Sequence, residues 1–176
     1  MVRSLAVIVW AILQSAPGMS PGVARGYART VQHEAREHHF DPLTLVAMVH
    51  YESHWIASVG NGKCFGLAGV CLDNFRSCRQ DLLGAACQAK RAELLDGHAN
   101  LRAAAAAITA NRRFCRAKTG RAEDHHWLAS YQGLNKPGRG IFCGQRQTKR
   151  GWVDVPRHRL TKRVMARRAW LLARRS

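Results

Sequence analysis

Positions 50 to 55 read His-Tyr-Glu-Ser-His-Trp, a carboxylate between two histidines at the end of an apolar run. Two chemistries fit those residue types. His50 and His54 are four apart, a spacing that puts two imidazoles on one helix face, as zinc proteases do in H-E-x-x-H. In that motif the glutamate directly follows the first histidine, whereas Glu52 comes two residues after His50. At about 100° per residue it points roughly 200° away from that histidine. It is therefore no base to a metal held by the pair, and no metal is expected. The second chemistry is proton transfer. Leu45, Val49 and Glu52 fall at i, i+4 and i+7, so the carboxyl continues an apolar stripe. Burial disfavours its ionised form and raises its pKa. A carboxylic acid that holds its proton near neutral pH suits the breaking of a glycosidic bond. The plain alternative is a glutamate at a fraying helix end, satisfied by solvent or arginine, and spacing alone does not separate the two.

The elements around this stretch read as mostly helical. Asp41 is suited to cap a helix that starts at Pro42, where a missing N–H costs nothing. The segment from Pro42 to Trp55 is apolar on most sides, as in a central buried helix. Residues 25–39 have helical composition with a polar face. The run "SVGNGKCFGLAGVC" predicts a loop or short hairpin packed beside the end of the central helix. "NLRAAAAAITANRRFCRAK" and "EDHHWLASYQ" predict two further helices, the first with five alanines that let a neighbour approach closely. From Pro156 to Ser176 the chain is a basic helix with Leu160, Val164, Trp170 and Leu171 as contacts. Beyond the Gly/Cys loop, "GWVDV" alone has strand character.

The chain has 176 residues, enough for one domain, and carries 28 Lys and Arg against 11 Asp and Glu, a net charge of +17. Such a balance favours an anionic partner. A nucleic-acid binder is one class that fits a pI near 11. No helix-turn-helix, zinc finger or aromatic RNA-binding motif accompanies the charge, so nucleic acid is not expected. The N-terminus runs basic ("MVRS"), apolar ("LAVIVWAIL"), then small and proline-containing, which is the order of an export leader ending near Ala24. A buried N-terminal helix is the competing reading. All six cysteines follow Ala24, and an even number in an exported chain reads as disulfides. Fifteen pairings are open; Cys64–Cys71, Cys78–Cys87 and Cys115–Cys143 are the expected ones. The cysteine spacings lack the short knuckles that zinc prefers.

The segments "FDPLTLVAMVHYESHW", "GKCFGLAGV", "NLRAAAAAI" and "WLASYQG" occur in the order found in soluble lytic transglycosylases, relatives of goose-type lysozyme. Across roughly residues 27–135 the chain resembles their catalytic domain. The resemblance implies a mainly α, lysozyme-like fold with a glycan cleft and a Gly/Cys-rich loop or small hairpin beside the active-site helix. With the N-terminal pattern and the basic tail, the chain divides into a leader over 1–24, a lysozyme-like domain over 25–155 and a basic helix over 156–176. It places the catalytic acid at Glu52 and substrate contacts at Ser53, Phe65, Gly66, Leu67, Asn100, Tyr131 and Gln132. Two departures stand out: the family's Met-Gln in the loop is Ala68-Gly69 here, and the Asn of its last motif is Gln132.

The implied activity is cleavage of the bond between N-acetylmuramic acid and N-acetylglucosamine in peptidoglycan, closing a 1,6-anhydro ring without a cofactor. Tyr131 is expected to order the acetamido group or the glutamate. A hydrolase would need a second acid about 5 to 9.5 Å away, and Asp73, Asp81, Glu93, Asp96, Glu123 and Asp124 carry no spacing that marks one. A weakly catalytic or non-catalytic wall-binding protein on the same fold is the remaining class. The expected partners are peptidoglycan strands, with the basic tail resting on an anionic envelope surface or on the domain. The expected state is a monomer, secreted or periplasmic.

Overall fold

A computed structural model describes residues 3–174. Helices dominate it: α1 (Leu5–Ser15), α2 (Pro21–Glu37), α3 (Pro42–Glu52), α4 (Arg76–Gln80), α5 (Ala85–Leu94), α6 (Gly97–Thr119), α7 (Asp124–Tyr131) and α8 (Arg159–Ala173). Two small antiparallel sheets complete it. One pairs β1 (Cys64–Phe65) with β2 (Val70–Cys71); the other has the order β3 (Ile141–Phe142), β4 (Gln145–Thr148), β5 (Gly151–Asp154).

Helix α3 is the axis of the core. Asp41 caps it by accepting from Leu43 N–H at 3.0 Å, and Pro42 follows. Every residue from Pro42 to Val49 is buried, so the helix has no solvent face until its last turn. The turn that ends it is strained. His54 and Trp55 both have positive φ, at 51° and 67°, a region that costs a side-chain-bearing residue free energy. Ser53 holds the turn: its Oγ accepts from Trp55 N–H at 3.1 Å. The reversal leaves Glu52 as the final helical residue.

Helix α6 runs longer than "NLRAAAAAI…" predicts, because Asp96, four residues before Asn100, is its cap. Its buried Ala104 and Ala105 permit close packing, and at Gly97 a Cβ would lie 2.5 Å from Tyr27 Oη. Gly120, with φ of +76°, ends the helix in the left-handed conformation.

The apolar stretch read as a leader forms α1, with Ile8, Ala11 and Ile12 fully buried against α2 and α3. Ala24, the residue at which the leader was expected to end, is buried inside α2. The basic tail is docked. In α8, Val164 and Leu171 are fully buried, and Trp170 stacks on Trp10 with ring centroids 6.4 Å apart. Arg168 reaches Asp41 at 3.2 Å and Asp124 at 3.4 Å. Burial alone would raise the Asp41 pKa, but hydrogen bonds from Arg3 and Leu43 N–H and the charges of Arg3 and Arg168 bring it below its ordinary value.

Disulfides join Cys64 to Cys71, Cys78 to Cys87 and Cys115 to Cys143. The first lies directly across the β1–β2 register, the second links α4 to α5, and the third ties α6 to the turn between β3 and β4.

Candidate active site

A cleft of about 360 Å³ opens between the end of α3, the β1–β2 hairpin and the end of α7. Its walls include Glu52, Gly66, Gly69, Tyr131, Gln132 and Leu160. Glu52 is the only acidic side chain among the described lining residues. Burial raises its pKa to about 7, against an opposing pull from the Gln132 amide. A shift in this direction lets the carboxyl facing the cleft keep its proton nearer to neutral pH than an exposed glutamate would.

The hairpin is shaped around that carboxyl. Gly69 has φ of +59°, and a Cβ there would sit 3.0 Å from Glu52 Oε2. Ala68-Gly69 thus puts the smallest residue where the acid needs room. Gly66, with φ of +77°, is held more tightly: a Cβ would fall 2.1 Å from the Leu94 carbonyl and 2.2 Å from Asn100 Nδ2. Only glycine fits such a position.

Asn100 is the reason for that crowding. It is fully buried, and its Oδ1 accepts from Ala68 N–H at 2.8 Å while its Nδ2 donates to the Phe65 and Leu94 carbonyls at 2.7 and 2.9 Å. One side chain thereby satisfies the backbone of the hairpin turn from behind. Tyr131 holds the same turn from the other side, donating to the Ala68 carbonyl at 2.9 Å. Burial, with the nearby Glu52 charge, pushes its phenol pKa far up, so the hydroxyl remains a donor.

The expected site residues therefore divide. Glu52, Gly66, Tyr131 and Gln132 meet in the cleft. Ser53, Phe65, Leu67 and Asn100 are buried behind its wall. Ser53 is spent on the helix-ending turn, Phe65 lies under the Arg91 guanidinium, Leu67 is core, and Asn100 has its hydrogen bonds filled from within. None of these four lines the cleft.

One participant has no counterpart among the expected residues. Thr161 of α8 is buried and donates to Gln132 Oε1 at 2.7 Å. The Gln132 Nε2 is buried with no acceptor at hydrogen-bonding geometry, beside the Glu52 carboxyl. Thr161 is the sole hydroxyl in the basic run from 157 to 175, which is the signal that could have marked it.

The carboxylates weighed as a second acid are engaged or remote. Asp81 accepts from Leu83 N–H, Glu93 pairs with Lys90, and Asp96 caps α6. Glu123 contacts His126, Asp124 accepts from Trp127 Nε1, and Asp73 is exposed outside the cleft. His50 is likewise occupied, with Nδ1 3.1 Å from the Ser15 carbonyl and its ring edge-on to His54. Among the described residues, metal-ligand side chains converge at His125, His126 and Asp154, away from the cleft.

Comparison with known proteins finds no matching family model, no matching curated protein and no matching solved structure.

Proposed function

We propose that the protein is a lytic transglycosylase of peptidoglycan on a lysozyme-like fold, with Glu52 as its acid and base. The observation that carries this reading is a lone carboxyl, raised to about 7, in a cleft walled by a disulfide-pinched glycine hairpin. A single carboxylate is enough when the substrate supplies the second nucleophile. Protonated Glu52 donates to the oxygen between N-acetylmuramic acid and N-acetylglucosamine, and that C–O bond breaks with the electron pair leaving on oxygen. The sugar's own acetamido oxygen covers the anomeric carbon. Glu52, now a carboxylate, takes the proton of the muramoyl 6-hydroxyl, whose oxygen closes the 1,6-anhydro ring and displaces the acetamido group. The acid returns to its starting state. No cofactor enters the sequence.

Gln132 has the donor for this cycle. With Oε1 held by Thr161, its Nε2 lies beside Glu52 and can tighten on the carboxylate as charge develops there. Hydrolysis through a second protein carboxylate is the weaker reading, because no other acid lines the cleft among the described residues.

The net charge of +17 would draw the enzyme to wall peptides that carry carboxylates, at a strength that salt reduces. Three disulfides suit an oxidising compartment outside the cytoplasm. No helix among the described residues is long and apolar enough to cross a membrane. Gel zymography on embedded cell wall tests the reading. Wild type should clear the gel and Glu52→Gln should not. Equal clearing by both would remove Glu52 from the chemistry.

A further inference from the structure

We propose that His125, His126 and Asp154 form a binding site for a zinc-class divalent cation, pinning β5 to the first turn of α7. The three residues come from segments 28 positions apart, and their ligand atoms all lie within 4.8 Å of one another. Asp154 Oδ2 is 3.4 Å from His125 Nε2, and Asp154 Oδ1 is 3.0 Å from His126 Nε2. A tetrahedral ion with bonds of about 2.0–2.1 Å separates its ligand atoms by about 3.3 Å. The two His–Asp separations are close to that value, and side-chain rotations must draw in the remaining spread of up to 4.8 Å for the ion to be admitted.

The orientation of His126 is the second observation. Its ring is buried, with Nδ1 in ion-pair contact with the Glu123 carboxylate but outside hydrogen-bonding geometry, and Nε2 turned toward Asp154. A carboxylate behind one ring nitrogen, with the other facing the ligand position, is how metal-binding histidines are fixed in tautomer and direction. The neighbouring His125 ring lies 4.0 Å away, centroid to centroid. Two imidazoles and one carboxylate suit zinc and its transition-metal neighbours, whereas magnesium and calcium prefer all-oxygen shells. The Asp154 side chain, 47% exposed, gives the ion access from solvent.

Two cations oppose binding. Arg121 Nη1 is 3.5 Å from Asp154 Oδ1, and the Arg157 charge acts on His125. Arg121 is half exposed and free to turn into solvent when the carboxylate is taken. At the cluster itself, Glu123 and Asp154 offset the charges of the two arginines.

Calorimetric titration of the oxidised full chain with zinc chloride tests the site, alongside the visible spectrum on adding cobalt(II). We expect one saturable site per chain and a cobalt spectrum of four-coordinate intensity. Asp154→Asn and His125→Gln, both on partly exposed side chains, should abolish saturation. Glu123→Gln, which leaves all three ligands in place, should weaken binding roughly tenfold. Absence of saturable binding overturns the proposal. So does binding undiminished in both Asp154→Asn and His125→Gln, which would place the ion on other histidines. None of these readouts depends on wall-degrading activity.

Discussion

Thr161 donates to Gln132 Oε1 at 2.7 Å and so joins the last helix of the chain to the residue beside Glu52. The basic tail, whose charge alone reads as a wall tether, thereby reaches into the cleft wall, where Leu160 also stands. Losing this bond frees the Gln132 amide to flip, and the donor toward Glu52 is then present only part of the time. Thr161→Val should lower kcat roughly tenfold, the equivalent of about 1.4 kcal/mol for one buried hydrogen bond, with little change in KM. Thr161→Ser keeps the hydroxyl and should restore most of the rate. Steady-state turnover of the three proteins decides this, and an unaffected Thr161→Val removes Thr161 from the site.

The Glu52 shift sets a pH dependence with a definite sign. The acid must be protonated to act, so turnover should fall as pH rises through about 7. Stability follows the same direction. The folded pKa is above the ordinary carboxylate value, so the folded state binds more protons between the two. The Glu52 contribution to stability is therefore fully present below about 4.5 and is lost as pH rises to about 7. Glu52→Gln removes the ionisation. It should stabilise the chain by about 2 kcal/mol at pH 8, after discounting for partial exposure, and make little difference at pH 4. Paired thermal melts across that range measure it; identical curves at pH 8 would place the carboxyl in free solvent.

Asn100 separates shape from chemistry. Its three hydrogen bonds to the hairpin and to α5 leave buried backbone groups unpaired when it is removed. Asn100→Ala should cost about 3 kcal/mol or more in denaturant unfolding, while KM of the protein that remains folded stays close to wild type. A raised KM with unchanged stability would return Asn100 to substrate binding.

How much of this was legible in the sequence depended on how local each signal was. Asp41-Pro42 announced α3 because a cap and its proline act within one turn. Glu52 stood out because a carboxyl on an apolar stripe needs a reason. The disulfides joined neighbours in sequence, so proximity along the chain matched proximity in space. The failures were non-local or lacked a pattern. The surroundings of Asn100 were not legible, because only the fold shows that Phe65, Ala68 and Leu94 surround it. Helices α4 and α5 and strand β4 were not expected. "QRQT" has no alternation, since three of its four residues are exposed, and its pairing comes from β5 and β3 rather than from its own composition. His125 and Asp154 are 29 residues apart and gave no joint signal.

The third disulfide spans the longest loop, 28 residues between Cys115 and Cys143. On the chain-entropy model, replacing both by alanine should cost about 3 to 4 kcal/mol, more than loss of either shorter bridge. It should also loosen the β3–β5 sheet before the Glu52 cleft, which has its own bridge at Cys64–Cys71. Urea unfolding of the three double variants ranks them.

Helix α1 gives a prediction about the N-terminus. It buries Ile8 and Ile12 completely and stacks Trp10 on Trp170. A chain beginning at residue 21 should lose about 4 kcal/mol or more, at about 1.5–3 kcal/mol for each buried aliphatic side chain. Melting points of the two chains measure this, and equal values would show that α1 contributes nothing to the folded domain.

The central claim is that one carboxyl, at position 52, carries both halves of the reaction. Its most direct test is mass spectrometry of the sugar ends released from purified sacculi by wild type and by Glu52→Gln. The account predicts 1,6-anhydro ends from the wild type and no release by the variant. Reducing ends from the wild type, or anhydro ends from both proteins, would contradict it.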